Sequence, residues 1–228
     1  MDNEETFTRE KTVMSGSGKR QRRAPDPDER LRDAERSRQL LLAAALEEFS
    51  AKGFAGARVQ DIAARAGVNK QLITYYFGGK EGLFRALGER WQEQEATFAR
   101  PDIPLDELTV EYLRATLDDP RMVRLLIWAG LAEGGESEER PPDEAPASED
   151  LSDLMRRQRD GELAADLDPA YVQLALMGAI LTPIVMPQIV RRVTGLDPQS
   201  DEFEARYAEE LRRIVRHLSS GGPVESST

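Results

Sequence analysis

Two short helical runs, residues 59–66 and 70–77, are separated by only Gly67-Val68-Asn69, and this spacing restricts the fold more than any other feature of the chain. Helices joined by so short a connector must cross at close range. The first then needs a small residue at the crossing, the connector needs a residue that tolerates positive φ, and the second needs an apolar anchor turned back into the core. Ala63, Gly67 and Ile73 meet these demands at spacings of four and six residues. Ile62, Val68 and Tyr76 can complete the inward face, which leaves Lys70, Gln71, Thr74 and Tyr75 turned outward on the second helix.

Helical periodicity extends over the rest of the chain. Leu41, Ala45 and Phe49 recur at i, i+4 and i+8 with Leu42 and Leu46 beside them, which is the broad apolar stripe of a core-packed helix. This pattern predicts a helix over 31–52, stopped by Gly53, with Lys52 suited to its negative end. A further helix starts at Lys80 and carries Leu83, Phe84, Leu87, Trp91 and Phe98 at helical spacing. After the punctuation of Pro101 and Pro104, helices are expected over 105–117, 121–133, 149–159, 169–193 and 200–219. No strand alternation persists, so the fold class is all-α. Residues 1–29 and 220–228 read as a disordered arm and tail, and the acidic, proline-bearing segment 133–150 as a mobile loop. Between them stand a reading head, 30–82, and a larger body, 83–219.

The net charge of −11 argues against a nucleic-acid partner only while it is averaged over the chain. Its parts are −1 over residues 1–29, +4 over 30–92 and −14 over 93–228. Residues 51–80 hold Lys52, Arg58, Arg65, Lys70 and Lys80 against a single acid, Asp61, an electropositive island around the two short helices. A basic cluster, Lys19-Arg20-Gln21-Arg22-Arg23, lies in the N-terminal arm. It reads as a solvated charge run or as a tail that follows the phosphates.

The outward residues have the chemistry of a major-groove reader. Lysine donates to guanine or phosphate, glutamine bonds adenine in bidentate fashion, threonine meets the thymine methyl, and tyrosine offers a hydroxyl on a flat apolar edge. Gly79-Lys80, at the start of the next helix, is placed to clamp a phosphate. The bland alternative is a tight helical hairpin inside an all-α core. The segments Leu40-Leu-Leu-Ala-Ala-Ala-Leu-Glu-Glu-Phe49, Asp61-Ile-Ala-Ala-Arg-Ala-Gly-Val68 and Ile73-Thr-Tyr-Tyr-Phe-Gly-Gly-Lys-Glu-Gly-Leu-Phe84 resemble the N-terminal domain of TetR-type, tetracycline-repressor-like transcriptional regulators. The resemblance covers about fifty residues. It implies a homodimer whose C-terminal domains bind a small ligand and pair through the last two long helices. The residues read as facing DNA are Arg58, by charge in place of a capping hydroxyl, and Lys70, Gln71, Thr74, Tyr75, Tyr76 and Lys80. Two departures stand out. Ala57 and Arg58 precede the second helix where the family commonly has a serine or threonine cap, and Thr74 and Tyr75 stand where it often has tyrosine and histidine, so no relative's sequence preference transfers.

Beyond residue 100 the resemblance fades. Trp91, Phe98, Tyr112, Met122, Leu125, Trp128, Met155 and Met177 are candidates to line a mainly apolar effector pocket, with core packing as the plainer role. Arg121 and Arg124, close together on one helix, are candidates to fix an anion. Pro183 and Pro187 should bend or break the apolar helix that carries Ile180 and Ile184. Phe203, Tyr207, Leu211 and Ile214 form a stripe that suits either a two-fold interface or packing within the chain.

The functional expectation is a ligand-responsive dimeric regulator, a repressor released from a palindromic operator in double-stranded DNA by a small, mainly apolar effector. An activator of the same fold and an interaction module without DNA binding are the alternatives. No cofactor or metal is expected. With no cysteine, disulfide scaffolds, zinc fingers and thiol enzymes are excluded, and the lone histidine, His217, lies near a polar tail. An enzyme built on paired carboxylates such as Asp150 and Asp153 lacks the apolar surroundings that would raise a pKa. The longest apolar run, 174–187, falls short of the ~20 residues that span a bilayer, and no secretory leader is visible, so a cytoplasmic location without membrane contact is expected.

Overall fold

The computed structural model describes residues 27–133 and 150–219, so the arm up to residue 26, most of the acidic loop and the tail from 220 lie outside the described residues. The described residues form helices α1 (Pro27–Gly56), α2 (Val59–Ala66), α3 (Gln71–Phe77), α4 (Lys80–Phe98), α5 (Leu105–Asp118), α6 (Arg121–Glu133), α7 (Ser152–Arg159), α8 (Pro169–Val185), α9 (Pro187–Thr194) and α10 (Asp201–Ser219), with no strand among them.

The apolar stripe of α1 builds the first core. Leu41, Leu42, Ala45 and Phe49 are buried with Ile62 and Ala63 of α2, Ile73 of α3, Leu83 and Leu87 of α4, and Leu125 of α6. Phe49, Phe54 and Phe84 close it as a ring cluster with centroids 5.2 to 5.9 Å apart. α1 begins at Pro27, earlier than the expected 31, and departs from helical geometry at Gly53, where φ is 71° and ψ 175°. There the indole of Trp128 lies so close that an added Cβ would sit 3.1 Å from its ring carbons.

The body is assembled on α5. Val110 and Leu113 pack with Ala208 and Leu211 of α10, while Leu105, Leu154 and Val215 join α5, α7 and α10 in a smaller cluster. The expected single helix over 169–193 is two. α8 ends at Val185, and α9 leaves it at an angle of 93°. Pro183 and Pro187 each remove a backbone donor at the break. Among the described residues no single helix is long and apolar enough to cross a membrane.

Candidate nucleic-acid interface

α2 and α3 are held at close range as the spacing requires. Ala63 is buried at the crossing, Gly67 takes φ 67°, and its N–H and that of Val68 close the end of α2 by donating to the Ala63 and Ala64 carbonyls. The Asn69 side chain accepts from the Gln71 N–H at 2.9 Å and opens α3, which begins one residue later than expected because Lys70 is its cap. Ile73 is buried, so the opposite face of α3 is fixed outward. Lys70, Gln71, Thr74 and Tyr75 are all exposed, Tyr75 at 78%.

Three details of this surface bear on those expectations. Tyr76 is half-buried against the core, in keeping with a place on the inward face, and meets Tyr75 edge-on at 5.0 Å. The Lys80 ammonium lies 4.5 Å from the centroid of Phe54 and donates to the Ala55 carbonyl at 3.4 Å, which ties the start of α4 to the end of α1. The electropositive island is also smaller than its composition suggests. Glu48, buried at 2% exposure, accepts from Lys52 and pairs with Arg65 at 3.5 Å, while Asp61 pairs with Lys52 at 3.3 Å. The Glu48 hydrogen bond outweighs burial and raises the Lys52 pKa. Two cations of the island thus serve the α1–α2 joint. Arg58 remains exposed at the start of α2, with no side-chain bond capping that helix.

The residues expected to line an effector pocket take several packing roles among the described residues. Leu125 and Met122 belong to the first core beside α1. Trp128 lies against Gly53 and donates from Nε1 to the Ser50 carbonyl at 3.3 Å, joining α6 to α1. Phe98 and Tyr112 meet edge-on at 5.1 Å between α4 and α5, with the Tyr112 hydroxyl donating to Glu95, and Trp91 is half-buried on α4. Met155 and Met177 are exposed on α7 and α8. Arg121 is taken up by a two-pronged bond to Asp119 and a 2.6 Å bond to Glu47 of α1. A cavity of about 470 Å³ opens elsewhere, where the α5–α6 turn meets the α8–α9 bend and the start of α10. Leu117, Pro120, Arg124, Pro183, Ile184 and Glu204 are among its lining. Its walls are mixed, with Asp201 and Glu204 of the first turn of α10 among them.

The apolar stripe of α10 divides in the same way. Phe203 and Leu211 are buried within the protomer, Tyr207 is half-buried, and Ile214 alone of the four is exposed, at 52%. Packing against α5 claims Leu211, while the Phe203 ring stacks on Tyr207. On α8, Ile180 and Ile184 are half-buried, whereas Tyr171, Leu174 and Met177 are exposed. The carboxylates weighed as catalytic do structural work: Asp150 accepts from the Ser152 N–H, and Asp153 binds Arg156 and Arg157. Among the described residues no cluster of His, Asp and Glu could hold a metal ion.

Comparison with known proteins agrees with this geometry along nearly its whole length. Residues 41–87 match the family model for bacterial regulatory proteins of the tetR family, and residues 104–217 match the tetracyclin repressor-like C-terminal domain. The chain is 34% identical over 194 residues to the HTH-type transcriptional repressor SCO4008 of Streptomyces coelicolor, covering 81% of this chain and 97% of that protein. It is 28% identical to the HTH-type transcriptional regulator RutR of Escherichia coli, over 82% of this chain and 92% of that one. The solved structure of SCO4942 from Streptomyces coelicolor superposes with a TM-score of 0.63 at 28% identity, covering 80% of this chain and 97% of that one. These relatives are transcriptional regulators, not enzymes. A buried α2–α3 crossing, an exposed reading face and family matches over both halves lead to one assignment: the chain belongs to the tetR family of bacterial regulatory proteins.

Proposed function

We propose that this protein is a homodimeric repressor that leaves a palindromic operator when a small effector enters its body. The observation that carries the DNA half of this reading is the outward face of α3, where Lys70, Gln71, Thr74 and Tyr75 are exposed while Ile73 anchors the helix from behind. Residues 30–82 act as the head and 83–219 as the body. Two heads about one DNA turn apart, ~34–36 Å, reach successive major grooves of a palindrome. The exposed apolar face of α8, Tyr171, Leu174 and Met177, together with Ile214 of α10, supports pairing of two bodies. A DNA target places the site of action in the cytoplasm.

The cavity at the α8–α9 bend supports an effector of mixed character, with an apolar body against Leu117, Pro183 and Ile184 and an acceptor group toward Arg124. Both Arg124 and Arg121 are on α6, and Arg121 is bonded to Glu47 of α1, so the cavity wall and the joint to the head share one helix. An effector acts only by its differential affinity for the two head separations.

The test is fluorescence anisotropy on the DNA upstream of the protein's own gene. Expected are two chains per operator, affinity that falls steeply with salt, and a large loss of binding in Gln71→Ala with a more uniform loss across sequences in Lys70→Ala. Binding by a single chain, or equal affinity for scrambled DNA, would overturn the reading.

A further inference from the structure

We infer that Arg157 is a positioning residue for DNA reading: through its guanidinium, α7 fixes the angle at which α4 leaves the body and so where the head stands. Its side chain is fully buried, and it joins three segments of the chain. Nε donates to Asp153 of α7 at 2.6 Å, and Nη1 donates to the Ile103 carbonyl at 2.7 Å and to Glu162 at 2.8 Å. The same Glu162 oxygen accepts the Leu105 N–H at 2.9 Å, one of the donors that the start of α5 cannot satisfy within the helix. Arg156 adds a second tether, from Nη2 to the Pro101 carbonyl at 3.0 Å. Pro101 and Ile103 form the turn between α4 and α5.

The other side of this clasp is anchored in the body. Gln158 donates to the carbonyls of Ala164 and Leu167 at 2.9 and 2.7 Å, and the Ala164 N–H donates to the Leu218 carbonyl of α10 at 2.9 Å. The α4–α5 turn is therefore held by α7 and the loop that follows it, and these are held by α10. Burial pushes the Asp153 carboxyl up, but the hydrogen bonds from Arg157 and Arg156 prevail and hold it below the usual carboxylate range, consistent with a charged network.

Stability alone does not account for this choice of residue. Nη2 of Arg157 is buried and has no hydrogen-bond partner among the described residues, and a desolvated guanidinium with both N–H groups of one nitrogen unmet is an expensive way to fill a core position. An apolar side chain of similar volume would fill it at less cost. A planar fork does what an apolar chain cannot, because it sets the directions of several acceptors at once. Direction matters here because α4 is a lever. Its 19 residues make a rod of about 27 Å, so a tilt of about 5° at the clasped end carries Lys80 and the head through about 2 Å. The contact of α6 with α1 restrains the head at a second place, so loss of the clasp loosens the angle without freeing the head.

The chain has no cysteine, which allows two clean labels, Ala64→Cys on α2 and Ala205→Cys on α10, both at exposed positions. Spin-labelled chains diluted into excess unlabelled chain report the head-to-body distance within one protomer, whatever the oligomeric state. In Arg157→Met the helix content should be retained and Tm should move by only a few degrees, while the distance distribution broadens about twofold. On operator DNA the preference between half-site spacings should flatten, a readout that rests on the dimeric reading above. An Arg157→Met protein that folds and gives the parent's distribution would overturn the proposal. If that variant does not fold, Arg156→Ala removes the Pro101 tether, together with Arg156's bonds to Asp153 and Asp160, from a side chain one-third exposed, and an unchanged distribution there would overturn it equally. Failure of the dimeric reading would show instead as lost DNA binding in the parent, with the intraprotomer distance intact.

Discussion

The Tyr207 hydroxyl donates to the Ala179 carbonyl at 2.9 Å, and that carbonyl is the acceptor Pro183 leaves without its helical donor. In an unbroken helix the N–H four residues on would fill it, and proline has none. A side chain of α10 thus closes the gap that a proline opens in α8. Burial raises the Tyr207 pKa, moving it further from neutrality. Tyr207→Phe should lower stability by about 1 kcal/mol. In a Pro183→Ala background the restored N–H takes the carbonyl, and the cost of Tyr207→Phe should fall toward zero. Urea denaturation of the four chains reads this coupling, and strictly additive losses would disprove it.

Gly53 and Trp128 make the joint between head and body. Gly53→Ala forces an L-residue into a positive-φ extended region that glycine alone adopts readily, at about 1–3 kcal/mol, and sets a methyl 3.1 Å from the Trp128 ring. Removing the indole by Trp128→Ala should recover the steric share and leave the backbone share. Thermal unfolding should therefore still show Gly53→Ala as destabilising in the Trp128→Ala background, but by less than in the parent. Equal costs in the two backgrounds would mean that the ring yields freely.

Acid should loosen the link from α6 to α1 and α5. The Arg121 guanidinium, acting chiefly by its hydrogen bonds, holds the Asp119 carboxyl below its ordinary value despite opposing burial. A carboxyl whose folded pKa is depressed contributes stability that is fully present above the unfolded value near 4 and is lost as pH falls through the folded one. Stability measured from pH 6 down to 2 should decline across the lower part of that window, and Asp119→Asn should flatten part of the decline. The same slope in both proteins would exclude Asp119 as a contributor.

The head was legible because its constraints are local. A short connector between two helices, a glycine at the turn and a buried isoleucine are fixed by spacing, and they recur in the structure, the connector one residue longer than expected, with Ile73 inward and Tyr75 outward. The body was less legible because its assignments depend on which helix faces which. Leu211 and Ile214 lie on one sequence stripe, yet packing with α5 buries the first and leaves the second exposed. Trp128, an apolar residue at helical spacing, also joins α6 to α1 through its indole N–H, a contact that its spacing does not announce. Pro183 and Pro187 announced a bend, but its 93° angle and the cavity beside it arise only when α5, α6 and α10 come together. The clasp at Arg157 spans 54 residues to Ile103, and its only trace in the sequence is the Asp153–Arg157 pair one helical turn apart.

Arg58 offers a substitution whose effects on stability and on binding have opposite signs. It occupies the N-cap of α2 with extended backbone angles, φ −118° and ψ 132°, and makes no capping bond. Serine in that conformation accepts from the open N–H groups of the first turn, so Arg58→Ser should stabilise the fold by about 1 kcal/mol. An exposed cation at this position is placed to meet a phosphate, and its loss should weaken operator binding and reduce the slope of log Kobs against log salt by about 0.9. Arg58→Lys should keep that slope without the gain in stability. Denaturation and salt-dependent anisotropy on the three proteins separate the two roles. An Arg58→Ser protein that is more stable but keeps the parent's salt slope would show that Arg58 meets no phosphate.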